Sequence, residues 1–154
     1  MNEVERLVDE LHRAVHGPAW HGPSVLEALE GVDAAGAARP VFEGSHSIWE
    51  LVLHLCVGQE VVRQRLHGHA VDLTDAEWFP PVNQTSAAAW GVALQRLREG
   101  AHELERAVAL MDIAKLDEPI MPGGSTASIS LHGISQHHAY HGGQIMMMKR
   151  RLLK

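Results

Sequence analysis

The chain has 154 residues, of which 45% are hydrophobic, so it is long enough to bury a sizeable core and is not intrinsically disordered. Its formal net charge of -6 argues against a protein that binds nucleic acid through a basic surface. The one cysteine, Cys56, excludes a disulfide within the chain. These values predict one domain, residues 1–154.

The first residues and the hydropathy of the chain bear on its location. The N-terminal segment opens with charged residues and lacks the basic and then apolar pattern of a signal peptide. No apolar run approaches the roughly 18 residues of a membrane-spanning helix. We therefore expect a cytoplasmic protein that contacts neither a membrane nor nucleic acid.

Apolar residues at helical spacing predict two helices near the N-terminus. The first covers residues 3–15. A shorter one starts at Pro23 or Ser24 and runs through Leu29. Residues 32–46 are rich in Ala, Gly and Pro, so most of them are expected to form a loop.

A capping box marks the start of the second principal helix. Ser47 is followed three residues later by Glu50, which predicts a helix from there to about Leu66. The following connection, residues 68–83, contains Trp-Phe-Pro-Pro, which cannot be regular helix. Such a long crossover allows the next helix to start at either end of a bundle.

Two more helices complete the prediction. The third principal helix runs from Thr85 or Ser86 to about Met111. The last begins within residues 125–130 and runs nearly to Lys154. The chain shows no strand-like alternation of useful length. Four principal helices with one long crossover therefore predict an all-α four-helix bundle.

The last helix carries the clearest chemical signal of the sequence. His137 and His141 are four residues apart, so they project from one face of a helix, and Gln144 falls on the same face. Two imidazoles one turn apart can share a metal ion, as in helical zinc motifs. The alternative is that they are polar residues on a solvated helix edge, since the chain has twelve histidines.

A metal site needs a third ligand, and His54 in the second principal helix is the candidate. It borders the apolar stripe of that helix, so it can reach His137 and His141 if the two helices are neighbours. Three protein ligands with one open position are typical of catalytic zinc sites. The alternative is a histidine that is simply hydrogen-bonded beside the core.

The remaining polar residues are weaker candidates. His138 points about 100° away from His137 on the helix, so it is not expected to join that face. His21 lies in an irregular turn and is a candidate to line a pocket. Cys56 is interpreted as a buried apolar residue rather than a fourth ligand. Six other histidines show no partner pattern and are predicted to lie on the surface: His12, His16, His46, His67, His69 and His102.

Three stretches of the chain are similar to a known family. They are residues 17–24, residues 47–54 and residues 137–145, and the last carries a His-x-x-x-His-x-Gly-Gln pattern. In these stretches the chain resembles the DinB-like, or YfiT-like, metalloenzyme superfamily. The resemblance implies a four-helix bundle of up-down-down-up order, a divalent metal ion on three histidines and, in many members, a homodimer.

The resemblance also implies a ligand set and a range of functions. It assigns the metal to His54, His137 and His141, and three imidazoles suit Zn, Ni, Fe, Co or Mn. Some relatives are similar to transferases that use low-molecular-weight thiols, and others to hydrolases or isomerases. The expected function is a divalent-metal-dependent enzyme acting on a small molecule, with thiol S-transfer as the first hypothesis. The alternatives are a metal-dependent hydrolase and a non-catalytic metal-binding stress protein.

A catalytic site would also need a pocket beside the open metal position. Tyr140 or His21 is the candidate for its polar wall, and Trp20 or Trp49 for its apolar wall. The long connections before and after the second principal helix, residues 17–46 and 68–83, are expected to form its rim, at the end of the bundle where substrate enters.

Overall fold

The computed structural model describes residues 1–153, which form seven α-helices, one 3-10 helix and no β-strand. In chain order the α-helices are α1 (Glu3–His16), α2 (Val25–Leu29), α3 (Ala34–Ala38), α4 (Ile48–Leu66), α5 (Asp75–Trp78), α6 (Ala87–Ala109) and α7 (Ala127–Leu152). The 3-10 helix, Ile113–Asp117, lies between α6 and α7. The predicted all-α fold is confirmed. Within this described range, no helix combines the length and the apolar character needed to span a bilayer.

The four long helices, α1, α4, α6 and α7, are the predicted principal helices. Both α1 and α4 pack against α6 and also against α7. The contact of α4 with α7 is the one that the predicted histidine site requires, because it joins the helix of His54 to that of His137. The up-down-down-up order of the helix directions stays a prediction.

Capping boxes start two helices at the residues that the sequence indicates. The hydroxyl of Ser47 accepts the backbone N–H of Glu50 at 3.2 Å, and the Glu50 carboxylate accepts the backbone N–H of Ser47 at 2.7 Å. Ser24 and Glu27 repeat this arrangement at the start of α2, at 3.4 and 2.7 Å. These side chains satisfy N–H groups that have no acceptor within the helix, and thereby define where it begins.

The connection between α2 and α4 is more ordered than its composition indicates. Within residues 32–46, which the sequence predicts to be mostly loop, Ala34–Ala38 forms α3. Asp33 caps this helix by accepting the backbone N–H of Gly36 at 2.8 Å. The side chain of Ala37 is fully buried, and α3 packs on both α4 and α6. The small residues therefore let the segment pack closely against two long helices.

The crossover between α4 and α6, residues 68–83, is the predicted long connection, and it contains one helical turn, α5. The Glu77 carboxylate accepts the backbone N–H of Thr74 at 2.8 Å and so stabilises the start of this turn. The turn ends at Trp78, because Phe79 precedes Pro80 and the proline ring disfavours the helical conformation there. The prediction that the Trp-Phe-Pro-Pro stretch is not helical is correct from Phe79 onward and wrong for Trp78, which ends the turn.

The core consists of two apolar clusters. One is built from α2, α4, the N-terminal half of α6 and the C-terminal half of α7 and includes Leu55. The other joins α1 to α6 and α7 and includes Leu104. Burying one such leucine stabilises a fold by about 1.5–3 kcal/mol. Polar side chains are buried as well, among them Gln59 and His138, which are joined by a hydrogen bond of 3.1 Å.

Candidate metal centre

Three histidines from two helices meet where α4 packs against α7. The Nε2 atoms of His54 and His137 are 2.8 Å apart, and those of His137 and His141 are 3.1 Å apart. One ring nitrogen from each of the three histidines lies within 4.8 Å of the other two. The structure thus brings together the three residues that the sequence singles out.

The outer nitrogens of two of these rings are held by oxygen acceptors. His54 Nδ1 donates to the carbonyl oxygen of Trp78 at 2.8 Å, and His141 Nδ1 donates to Oε1 of Gln144 at 2.6 Å. Because Nδ1 carries the proton in both rings, Nε2 keeps its lone pair and directs it to the centre of the group. Metal-binding histidines commonly donate their other N–H to an oxygen in this way.

The lone pairs of His54 Nε2 and His141 Nε2 both face Nε2 of His137, which can donate a proton to only one of them. Burial, followed by the neighbouring His141 and His54, lowers the pKa of His137 to about 3, so its ring is neutral at pH 7. Its buried Nδ1 has no hydrogen-bond partner among the described residues. A proton on Nε2 bridges to one neighbour at a time, whereas a cation at the centre would satisfy three lone pairs at once. The donor set therefore fits a divalent metal ion.

An aromatic ring fixes the position of His54. The ring of Phe79 stacks on His54, with centroids 4.0 Å apart and an interplanar angle of 4°. The same ring stacks on His46, with centroids 3.9 Å apart. Burial lowers the pKa values of His54 and His141 as well, so both rings favour the neutral form that binds a metal ion.

Two glycines shape the surroundings of the histidines in opposite ways. At Gly58, a Cβ atom would lie 3.2 Å from Cδ1 of Ile134 and 3.5 Å from Cε1 of His137, so glycine permits the close approach of α4 and α7. At Gly143, a Cβ atom would meet no other described heavy atom within 4 Å. Gly143 instead leaves room beside His141.

That room is part of a cavity of about 530 Å³ whose wall includes His141. Its polar side chains are Ser45, His46, Tyr140 and Gln144. Its large apolar side chains are Phe42, Leu51, Phe79, Met147 and Met148. Both connections that are predicted to form a rim contribute, because Phe42 precedes α4 and Phe79 follows it. A cavity of this size and character suits a small, largely apolar molecule.

The family of the chain follows from its sequence match. A profile of the DinB superfamily matches residues 19–145, a span that includes all three histidines of the group. The chain belongs to the DinB superfamily. No match was found among curated proteins or among solved structures. The buried three-histidine group of this DinB superfamily protein is compatible with metal binding.

The cavity wall of this DinB superfamily protein differs in part from the predicted one. Tyr140 lines the cavity as predicted, but Trp20 and His21 are exposed in the turn after α1 and are not among the lining residues. Trp49 is buried and packs against Trp90 of α6, with ring centroids 5.0 Å apart, so its bulk fills the core. The apolar part of the cavity wall includes Phe42 and Phe79 in the turns and Met147 and Met148 on α7, and not the predicted tryptophans.

His138 lies outside the three-histidine group, as its angular offset on the helix predicts. Its Nδ1 donates to the carbonyl oxygen of Ile134 at 2.7 Å, and its Nε2 accepts from Gln59 at 3.1 Å. The contacts of Trp78 and Phe79 with His54 are not predicted from the sequence. Trp78 acts through its backbone carbonyl, which every residue type has, so the sequence does not indicate this contact. The Trp-Phe-Pro-Pro stretch indicates only where a helix must end.

Proposed function

We propose that this DinB superfamily protein binds a divalent metal ion through His54, His137 and His141 and transfers a low-molecular-weight thiol to a small electrophile. The observation that supports the proposal is the convergence of three histidine nitrogens beside a mostly apolar cavity. Three neutral protein ligands leave a coordination position free for a further ligand.

The residues around the histidines would hold the ligand set in place. The Trp78 carbonyl and the Gln144 side chain accept the Nδ1 protons of His54 and His141, which orients both rings. When bound, a divalent ion lowers the pKa of a thiol or water molecule that it binds and supplies an anionic nucleophile at neutral pH. Three imidazoles suit Zn, Ni, Fe, Co or Mn, so all five are to be tested.

The described cavity wall offers no activated nucleophile from the chain. Cys56 is buried, and burial raises its pKa to about 11, so its thiol stays protonated. The hydroxyl of Ser45 donates to the carbonyl oxygen of Phe42 at 2.9 Å rather than to a base. The nucleophile in the proposed reaction therefore comes from solution.

In the proposed reaction the sulfur of a small thiolate forms a bond to an electrophilic carbon of the substrate. The leaving group departs with the electron pair of the broken bond, and the proton of the thiol goes to solvent. The apolar wall around Leu51 and Met147 would bind the carbon skeleton of the substrate and limit the access of competing water. Gln144 and Tyr140 are two of the polar groups in the cavity wall that can orient the substrate.

Metal analysis tests the ligand set. Protein purified without nickel resin is stripped with a chelator, reloaded with each metal and assayed by mass spectrometry. Each of the single changes His54→Ala, His137→Ala and His141→Ala should remove one bound equivalent per chain, because two remaining imidazoles hold an ion weakly. His138→Ala and the exposed control His69→Ala should remove none. Undiminished metal in His137→Ala would contradict the assignment.

A kinetic comparison tests the reaction. The loss of monochlorobimane is followed with bacillithiol, mycothiol, glutathione or cysteine, with and without the reloaded metal. We expect at least one thiol to give a metal-dependent rate above background, which His141→Ala should abolish. If only an ester, an amide or a lactone reacts, the protein is a hydrolase. If metal binds and nothing reacts, the non-catalytic metal-binding alternative stands.

A further inference from the structure

A second group of metal-binding side chains lies between α1 and α6. His12 and His16 are four residues apart on one face of α1, and Glu105 faces them from α6. One side-chain atom from each of the three lies within 4.8 Å of the other two. The group shares no residue with the three-histidine group, and its two histidines precede the residues that match the DinB superfamily, 19–145.

The distances within this group fit a tetrahedral cation. Glu105 Oε1 lies 3.4 Å from His12 Nδ1 and 3.6 Å from His16 Nε2. With metal–ligand bonds of ~2.0–2.2 Å, adjacent ligand atoms around tetrahedral zinc are roughly 3.4 Å apart. Direct hydrogen bonds between such atoms are normally shorter, at about 2.7–3.2 Å. The spacing is therefore compatible with two ligands on one ion, as it is with an ion pair between Glu105 and a protonated imidazole.

Two buried atoms of the group have no hydrogen-bond partner among residues 1–153. They are His16 Nε2 and Glu105 Oε1, which are each other's near neighbours across the gap. A buried polar atom without a partner destabilises a fold, so such atoms are rare in proteins. A cation between these two atoms would satisfy both.

A third imidazole supports the arrangement. The ring of His102 stacks on His16, with centroids 4.4 Å apart and an interplanar angle of 14°, and its Nδ1 lies 3.4 Å from Glu105 Oε2. Burial, followed by the nearby His102, lowers the pKa of His16, which favours the neutral, metal-binding form.

The side chains of His12 and His102 are 46% and 53% exposed, so an ion and a completing water molecule reach the group from solvent. The predicted surface position is correct for His12 and His102, which are exposed, whereas His16 is half-buried. The predicted lack of partners is wrong for all three, because each lies within 3.6 Å of the Glu105 carboxylate.

We propose that His12, His16 and Glu105 form a second site for a divalent transition-metal ion and that this ion clamps α1 to α6. Two imidazoles and one carboxylate are a donor set that zinc accepts. Because the ligands come from two helices, the site exists only in the folded chain, and ion binding there stabilises the fold by mass action.

Zinc titration of the chelator-stripped full chain tests the second site, with bound metal measured after equilibrium dialysis. Glu105→Gln keeps the shape of the side chain and removes the charged ligand. His12→Asn removes one imidazole ligand at a half-exposed position. We expect each variant to bind one zinc ion fewer than the wild type, and His69→Ala to bind as many. In the His137→Ala background, zinc should still raise the melting temperature, and adding Glu105→Gln should abolish that rise.

These comparisons decide the second site independently of the three-histidine site. Circular dichroism first establishes that each variant is folded. If Glu105→Gln does not fold, His12→Asn is the decisive variant. The proposal is overturned if Glu105→Gln and His12→Asn both bind as many zinc ions per chain as the wild type. A zinc-dependent rise in melting temperature that persists in the Glu105→Gln and His137→Ala double variant also overturns it.

Discussion

His54 and His138 are both buried, yet they differ in what their ring nitrogens contact. Both nitrogens of His138 are hydrogen-bonded, to Ile134 and Gln59. His54 donates from Nδ1 to the carbonyl oxygen of Trp78, and its Nε2 lies 2.8 Å from Nε2 of another candidate ligand, His137, rather than from an amide. Burial disfavours a charged imidazole in either case, so the hydrogen bonds decide which ring keeps a lone pair for a metal ion.

Cys56 gives a prediction at the residue scale. Its thiol is buried with a pKa of about 11, so roughly a thousandth of it is ionised at pH 8. A thiol reagent such as DTNB should label the folded chain slowly and the urea-unfolded chain rapidly. Because the unfolded thiol loses its proton near pH 8.5, the contribution of Cys56 to the free energy of unfolding should fall as the pH rises from there to about 11.

The same residue provides a control for the proposed reaction. Cys56→Ala should leave metal-dependent thiol transfer unchanged, because the nucleophile comes from solution. Rapid labelling of the folded chain, or loss of transfer in this variant, would instead point to a nucleophile within the chain.

At the scale of the helix, glycines inside α6 show how packing overrides local preference. Glycine within a helix costs up to about 1 kcal/mol relative to alanine. At Gly100, a Cβ atom would lie 2.5 Å from Oε1 of Gln59, a buried side chain whose amide nitrogen is committed to His138. At Gly91, a Cβ atom would meet no other described heavy atom within 4 Å. One helix thus contains one glycine that packing requires and one that it does not.

The two positions make a matched pair of variants. Gly91→Ala should raise the free energy of unfolding by up to about 1 kcal/mol, since only helix propensity changes. Gly100→Ala should lower it, because overpacking costs about 1–3 kcal/mol and Gln59 cannot rotate without breaking its hydrogen bond to His138. Urea unfolding at pH 7 measures both. An equal gain in the two variants would show that Gln59 moves aside at little cost.

At the scale of the whole molecule, assembly and location stay predictions. Ile129, Tyr140 and Met147 of α7 are exposed and spaced by nearly whole numbers of helical turns, and the last two also line the cavity beside His141. Light scattering of the 154-residue chain should give twice the monomer mass of 16.9 kDa. A monomer mass at every accessible concentration would contradict the homodimer. The cytoplasmic location is tested by fractionating cells that produce the protein.

Helix positions in this chain follow largely from short-range interactions. The sequence predicts a helix from Ser47 to about Leu66, and α4 spans Ile48–Leu66, because the capping box and the apolar spacing involve residues within a few positions of each other. The same spacing places His137 and His141 on one face of α7. The equally short α2 is predicted from its apolar residues, whereas α3 and α5 escape prediction, because Ala34–Ala38 consists of Ala and Gly and Asp75–Trp78 lies just before two prolines.

The sites depend on which faces meet. His54 and His137 are 83 residues apart, and their nitrogens meet only because α4 packs on α7. His12 and His16 have the same spacing as the first pair, but Glu105 reaches His12 from 93 residues away. Spacing along a helix decides which side chains share a face. Burial of apolar surface over the whole chain decides which faces come into contact, and no local pattern contains that information.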